Sequence, residues 1–74
     1  MCLAIPMRVE SINGFVARCS VRGVSRDVSL FMLEEGSVLA GDYVLVHVGY
    51  AIQVISGTDA AATWQVIDEA LARQ

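Results

Sequence analysis

No lysine occurs in this sequence. Its five basic residues, Arg8, Arg18, Arg22, Arg26 and Arg73, face eight acidic ones, for a net charge of −3. A broad grip on nucleic-acid phosphates needs a clustered positive surface, so the composition argues against that class while leaving a specific arginine contact open. Two cysteines are too few for the disulfide framework of a small secreted domain. No apolar run is long enough to span a membrane. The N-terminus lacks the charged and apolar regions of a signal peptide. These absences lead to the expectation of a cytoplasmic protein with reduced thiols and no membrane partner.

What is present is apolar: 55% of the 74 residues are hydrophobic. A chain this short makes one domain, spanning 1–74, with a limited core. Part of so large an apolar fraction is expected to serve as contact surface for another protein.

Leu3 to Val9 is a short apolar run interrupted by Pro6, which donates no ladder hydrogen bond. An edge position or an irregular start is expected for this strand. Asn13-Gly14 reads as a two-residue hairpin turn. Phe15, Ala17, Cys19 and Val21 then alternate with Val16, Arg18 and Ser20, as in a half-buried strand. After Gly23, a third strand is expected with Val24, Val28, Leu30 and Met32 on one face. Arg26 falls on that apolar parity, where its stem would snorkel out at the rim. Leu33 to Leu39 reads as a connecting loop. Tyr43 to Val48 and Tyr50 to Ile55 are apolar on both faces and need cover on both. They read as two strands broken near Gly49, or as one strand kinked there. Ser56-Gly57-Thr58-Asp59 opens a helix over about 58–73, with Thr58 as the expected N-cap. Ala60, Trp64, Ile67 and Leu71 form its apolar stripe. About five short strands followed by a helix predict a mainly β fold, a small OB-like barrel that removes strand edges by closure.

Three residues carry chemistry worth weighing. Removal of Met1, expected before a small residue, would leave Cys2 with an α-amine beside its thiol, and both groups donate to one metal. A nearby ammonium favours the thiolate, and thiolates suit iron and other transition metals. The plainer reading makes Cys2 a small apolar residue at the start of a strand. Cys19 reads as a core thiol. A Cys2–Cys19 disulfide is disfavoured by the compartment. His47, the sole histidine, is either a rim or core residue or a metal ligand or proton donor paired with Cys2. These three residues do not make a structural zinc site, which needs four ligands. A thiol enzyme built on Cys2 and His47 lacks a readable oxyanion element. Trp64 and Tyr50 have the chemistry of stacking platforms for single-stranded nucleic acid, the alternative function for an OB-type barrel. Trp64, however, also fits the helix core stripe.

Met1-Cys2-Leu3-Ala4-Ile5-Pro6-Met7-Arg8-Val9 resembles the N-terminal signature of the HypC/HupF hydrogenase-assembly chaperones. That signature runs methionine, cysteine, aliphatic, small, aliphatic, proline, any residue, polar or basic, aliphatic. Gly41 to Ala51, GDYVLVHVGYA, resembles the family's second block, and Gly23 to Val28 its central strand. The resemblance implies an OB-like barrel with a C-terminal helix and a role in building the NiFe hydrogenase active site. It implies a HypD-type iron–sulfur partner, transient handling of iron as an Fe(CN)2CO unit, and delivery to the hydrogenase large-subunit precursor. It implies no catalytic residues. The family's cysteine falls on Cys2, its histidine on His47 and its proline on Pro6. Cys2, Leu3, Ile5 and Pro6 are then expected to contact partners, with Cys2 and His47 toward iron. The chain departs from the family after Ile55, where Ser56 to Asp59 replace a more acidic segment that often opens the last helix. That departure bears on which large subunit is recognised.

Overall fold

The computed structural model describes residues 4–72. Five strands and one helix follow in order: β1 (Ile5–Asn13), β2 (Val16–Val21), β3 (Val24–Ser29), β4 (Tyr43–His47), β5 (Tyr50–Ile55) and α1 (Gly57–Ala72). The strands close into a barrel in the order β1-β2-β3-β5-β4. This is the mainly β barrel with a C-terminal helix expected from the sequence. All neighbours run antiparallel except β3 and β5, which meet in parallel at one pair, Ser29 with Tyr50.

Turn chemistry sets the hairpins. The first turn is Gly14-Phe15, not Asn13-Gly14, because Asn13 still pairs with Val16. Gly14 alone has positive φ there (65°), the type II′ pattern with glycine first. Arg22-Gly23 and Val48-Gly49 each carry two positive φ values (50° and 82°; 51° and 81°), the type I′ pattern whose twist matches paired strands. The stretch around Gly49 is therefore a hairpin rather than a kinked strand.

The interior alternates as strands require. Met7, Val9, Ala17, Cys19, Val28, Leu30, Val38, Val44 and Ala51 form the buried core. Ile5, Val21, Leu33 and Val46 pack around it. The opposite face of β1 and β4 is covered by α1, which buries Ala60 and Ile67 and leaves Trp64 half-buried. Pro6 is fully buried beside Met7, although the two point to opposite faces of β1. Pairing of β1 with β2 begins only at Arg8, so at Pro6 the strand has a single neighbour, β4, and the missing donor is tolerated.

Five further expectations change. Strand β3 ends at Ser29, because Leu33 N–H donates to the Leu30 carbonyl and turns the chain; Met32 is exposed. Val24 and Arg26 share the inward parity through their partners Val21 and Cys19; Arg26 is exposed as its snorkelling reading expects, but Val24 is exposed too. Strand β5 pairs with β3 only at Ser29, so among the described residues the start of β3 has no strand partner on that side. The helix is capped by Ser56, whose Oγ accepts from Asp59 N–H at 3.0 Å, rather than by Thr58. Leu71 is exposed, one turn beyond Ile67, the last buried residue of the helix. Of the two strands read as two-sided, β4 receives cover on both faces, whereas Tyr50, Ile52 and Val54 of β5 remain exposed.

Candidate functional site

The two sequence blocks meet at one end of the barrel. Ile5 pairs with Val46, Pro6 with Leu45 and Met7 with Val44, so the start of β1 lies along the end of β4. His47 follows Val46, is half-buried, and pairs across the hairpin with Tyr50. The turn beyond it is tied back to the barrel, because Ser29 N–H donates to the Gly49 carbonyl at 2.9 Å. Val48 holds a left-handed backbone that a β-branched residue strongly disfavours, and its side chain is 72% exposed. A bulge at Ile52, between the pairs Leu45–Gln53 and Val46–Ala51, sharpens the twist of this hairpin.

Cys2 and Leu3 lie outside the described residues. Ile5 packs against the barrel core, and Pro6 is buried beneath the helix. Exposed large apolar side chains lie on turns and on the β3–β4 loop, among them Phe15, Phe31, Met32, Leu39 and Val48, and also on β5 and α1, as at Ile52 and Val66. Cys19 sits fully inside the barrel. Burial pushes its thiol above the ordinary value, and the Glu10 charge adds to the shift, so it stays neutral and inaccessible. No group of three or more histidine, cysteine or acidic side chains among the described residues could hold a metal. Among those residues, His47 is the one accessible nitrogen donor for a soft metal that the sequence pointed to.

A second constellation fixes the helix beside β1. Trp64 Nε1–H donates to the Pro6 carbonyl at 3.0 Å. Arg22, from the β2–β3 turn, stacks over the Trp64 ring at 4.1 Å and donates twice to the Asp68 carboxylate, at 2.9 and 2.8 Å. The Arg22 guanidinium holds the Asp68 carboxyl below the usual carboxylate range, chiefly through those hydrogen bonds. One face of Trp64 is thus occupied and its edge is bonded, which is the opposite of a free stacking platform. Sequence reasoning missed this clamp: Arg22 and Asp68 are 46 residues apart, and no local pattern joins them.

The fold and its two converging blocks define a small closed five-stranded barrel with one C-terminal helix. Residues 1–67 match the model of the HupF/HypC family, and the chain belongs to that family. Its relatives include hydrogenase maturation factor HypC of Escherichia coli (strain K12), 39% identical over 67 residues, 85% of this chain and 74% of that protein. HypC of Rhizobium leguminosarum bv. viciae is 41% identical over 70 residues, covering 93% of this chain and 91% of that one. Hydrogenase maturation factor HybG of Escherichia coli (strain K12) is 37% identical over 68 residues, 85% and 83% of the two chains. No helix among the described residues is long and apolar enough to cross a membrane.

Proposed function

We propose that this protein is a hydrogenase maturation chaperone that partners a HypD-type iron–sulfur protein, escorts an Fe(CN)2CO unit as cargo, and docks on the large-subunit precursor through Cys2. The observation that carries the reading is the register of β1 on β4. Ile5, three residues after Cys2, pairs with Val46, next to His47. Three extended residues reach at most about 11 Å, so the thiol block and the histidine block serve one end of the barrel.

The proposed chemistry is ligand exchange. The Cys2 thiolate is a soft donor that binds iron and is displaced by a cysteine thiolate of the precursor, with iron passing between sulfurs and no change in its oxidation state. His47 acts beside it, holding a proton or a nitrogen lone pair at the same end. Pro6, held at its carbonyl by Trp64 and at φ by its ring, stiffens the start of β1 next to the segment that carries Cys2.

The test is anaerobic expression of a C-terminally tagged chain, and of its Cys2→Ala and His47→Ala variants, in a host with an intact hydrogenase maturation system. Infrared spectra in the cyanide and carbonyl region are read together with iron content. Bands present in the native protein and absent from Cys2→Ala support the reading. Equal bands in both remove Cys2 as the anchor. Loss confined to His47→Ala would transfer that role to the histidine.

A further inference from the structure

A groove opens at the mouth of the barrel next to the β1–β2 turn. Leu30 and Val38 form its buried floor, Ile12 and Phe15 its walls, and Glu34 and Glu35 its rim. Its volume is ≈120 Å³, near the roughly 150 Å³ of an engineered cavity that admits benzene. Ile12 reaches the mouth because it pairs with Ala17, beyond the bulge at Glu10. Phe15 is held by an edge-on contact with Phe31, ring centroids 6.3 Å apart, and Leu30 N–H donates to the Phe15 carbonyl at 2.7 Å.

The loop that carries the rim is preformed. Ser37 donates to the Glu34 carbonyl twice, from N–H at 3.0 Å and from Oγ at 2.6 Å. Asp42 Oδ2 accepts from Leu39 N–H at 2.9 Å, and Asp42 N–H returns to the Leu39 carbonyl. A preformed apolar groove of this kind binds without the cost of ordering a loop. Around it Phe31 is 76% exposed and Phe15 52%, the kind of contiguous apolar surface that marks a protein contact.

Charge identifies what enters. Neither Glu34 nor Glu35 takes part in an ion pair among the described residues. The described arginines are engaged elsewhere: Arg8 with Glu10, Arg18 with Asp27, Arg22 with Asp68, and Arg26 on the Ser25 carbonyl. Among the described residues, the rim therefore presents two carboxylates without an ion-pair partner above an apolar slot.

We propose that this groove docks a segment of a partner protein that inserts one aliphatic side chain while flanking lysine or arginine residues meet Glu34 and Glu35. This rests on the reading of the protein as a chaperone that docks on other proteins. It assigns that role to a groove whose lining includes neither Cys2 nor His47, with a defined chemistry for the partner.

The test is a ¹⁵N-correlation NMR titration of the full chain with the capped peptide Gly-Lys-Leu-Lys-Gly. Gly-Glu-Leu-Glu-Gly and Gly-Lys-Gly-Lys-Gly serve as controls. Saturable shifts at the amides of Phe15, Leu30, Glu34 and Val38 at millimolar concentration are expected with the first peptide alone. A Glu34→Gln/Glu35→Gln variant, changed only at exposed positions, is expected to bind it about fivefold more weakly, as the loss of two exposed ion pairs allows. A Phe15→Ser variant with an unchanged spectrum elsewhere is expected to lose the apolar contribution. Equal shifts with all three peptides, or none at the groove, overturn the proposal. Shifts at these amides on raising protein concentration without peptide also overturn it, since a second copy would then be the occupant. Because the titration contains no iron and no Cys2 variant, its failure leaves the infrared test of the proposed function standing, and the converse holds.

Discussion

Val48 should be the cheapest position at which to stabilise this protein. It occupies the first central position of a type I′ turn at φ 51° and exposes 72% of its surface. A left-handed backbone costs an L-residue roughly 1–2 kcal/mol, and β-branching makes valine a poor occupant. Asparagine tolerates this conformation and is favoured in such turns. Little burial is lost on replacing so exposed a side chain. Val48→Asn is therefore expected to gain about 1 kcal/mol. For a domain of this size that raises the melting temperature by about 4–8 °C. Glycine recovers the same strain but carries about 0.5–1 kcal/mol of extra chain entropy, so Val48→Gly should gain less. The assay is thermal unfolding followed by circular dichroism and by Trp64 fluorescence, with coincident transitions as the two-state check. Arg22→Asn is the internal control. Arg22 has nearly the same backbone, φ 50°, but its guanidinium holds Asp68 and covers Trp64. Relief of strain there comes with loss of the clamp, so this variant must melt below Val48→Asn. An unchanged or lowered melting temperature for Val48→Asn would refute the strain argument.

Two further outcomes concern the clamp. The Asp68 carboxyl is held below the usual range by Arg22, so its contribution to stability is complete above the unfolded value. That contribution is lost as pH falls below about 4. Asp68→Asn should accordingly show a flatter decline of melting temperature on the acid side than the native chain, and parallel declines would exclude the linkage. Trp64→Phe keeps an aromatic ring but removes the donor to the Pro6 carbonyl. It should cost about 1 kcal/mol, read as a lower urea midpoint with an unchanged slope, and hydrogen exchange near Pro6 should quicken.

The order of elements was legible in the sequence because strand and helix periods are local properties. Ala17 and Cys19 lie where alternation puts them, and Ala60 and Ile67 lie on the helical stripe. The two motif blocks were legible for the same reason, as continuous runs of residues, and they led to the family before any fold was known. Local pattern failed wherever a neighbour far along the chain decides exposure. Arg26 and Val24 carry the inward parity, but β5 covers β3 only at Ser29. Leu71 has helical spacing with Ile67, yet it is exposed while Ile67 is buried.

The sequence by itself determined the chemistry on offer: one histidine, one thiol block, no lysine, and glycines where turns need left-handed backbone. Only the tertiary structure decided which of these residues act together. The register of β1 on β4 brings the two blocks to one end of the barrel. Closure of the barrel hides Cys19, and folding back of α1 ties Arg22 and Asp68 to the carbonyl side of Pro6 through Trp64. The physical reason is the range of the forces involved. Backbone preference and hydrophobic period act over a few residues and are written in the chain, whereas register, closure and ion pairing depend on which surfaces meet.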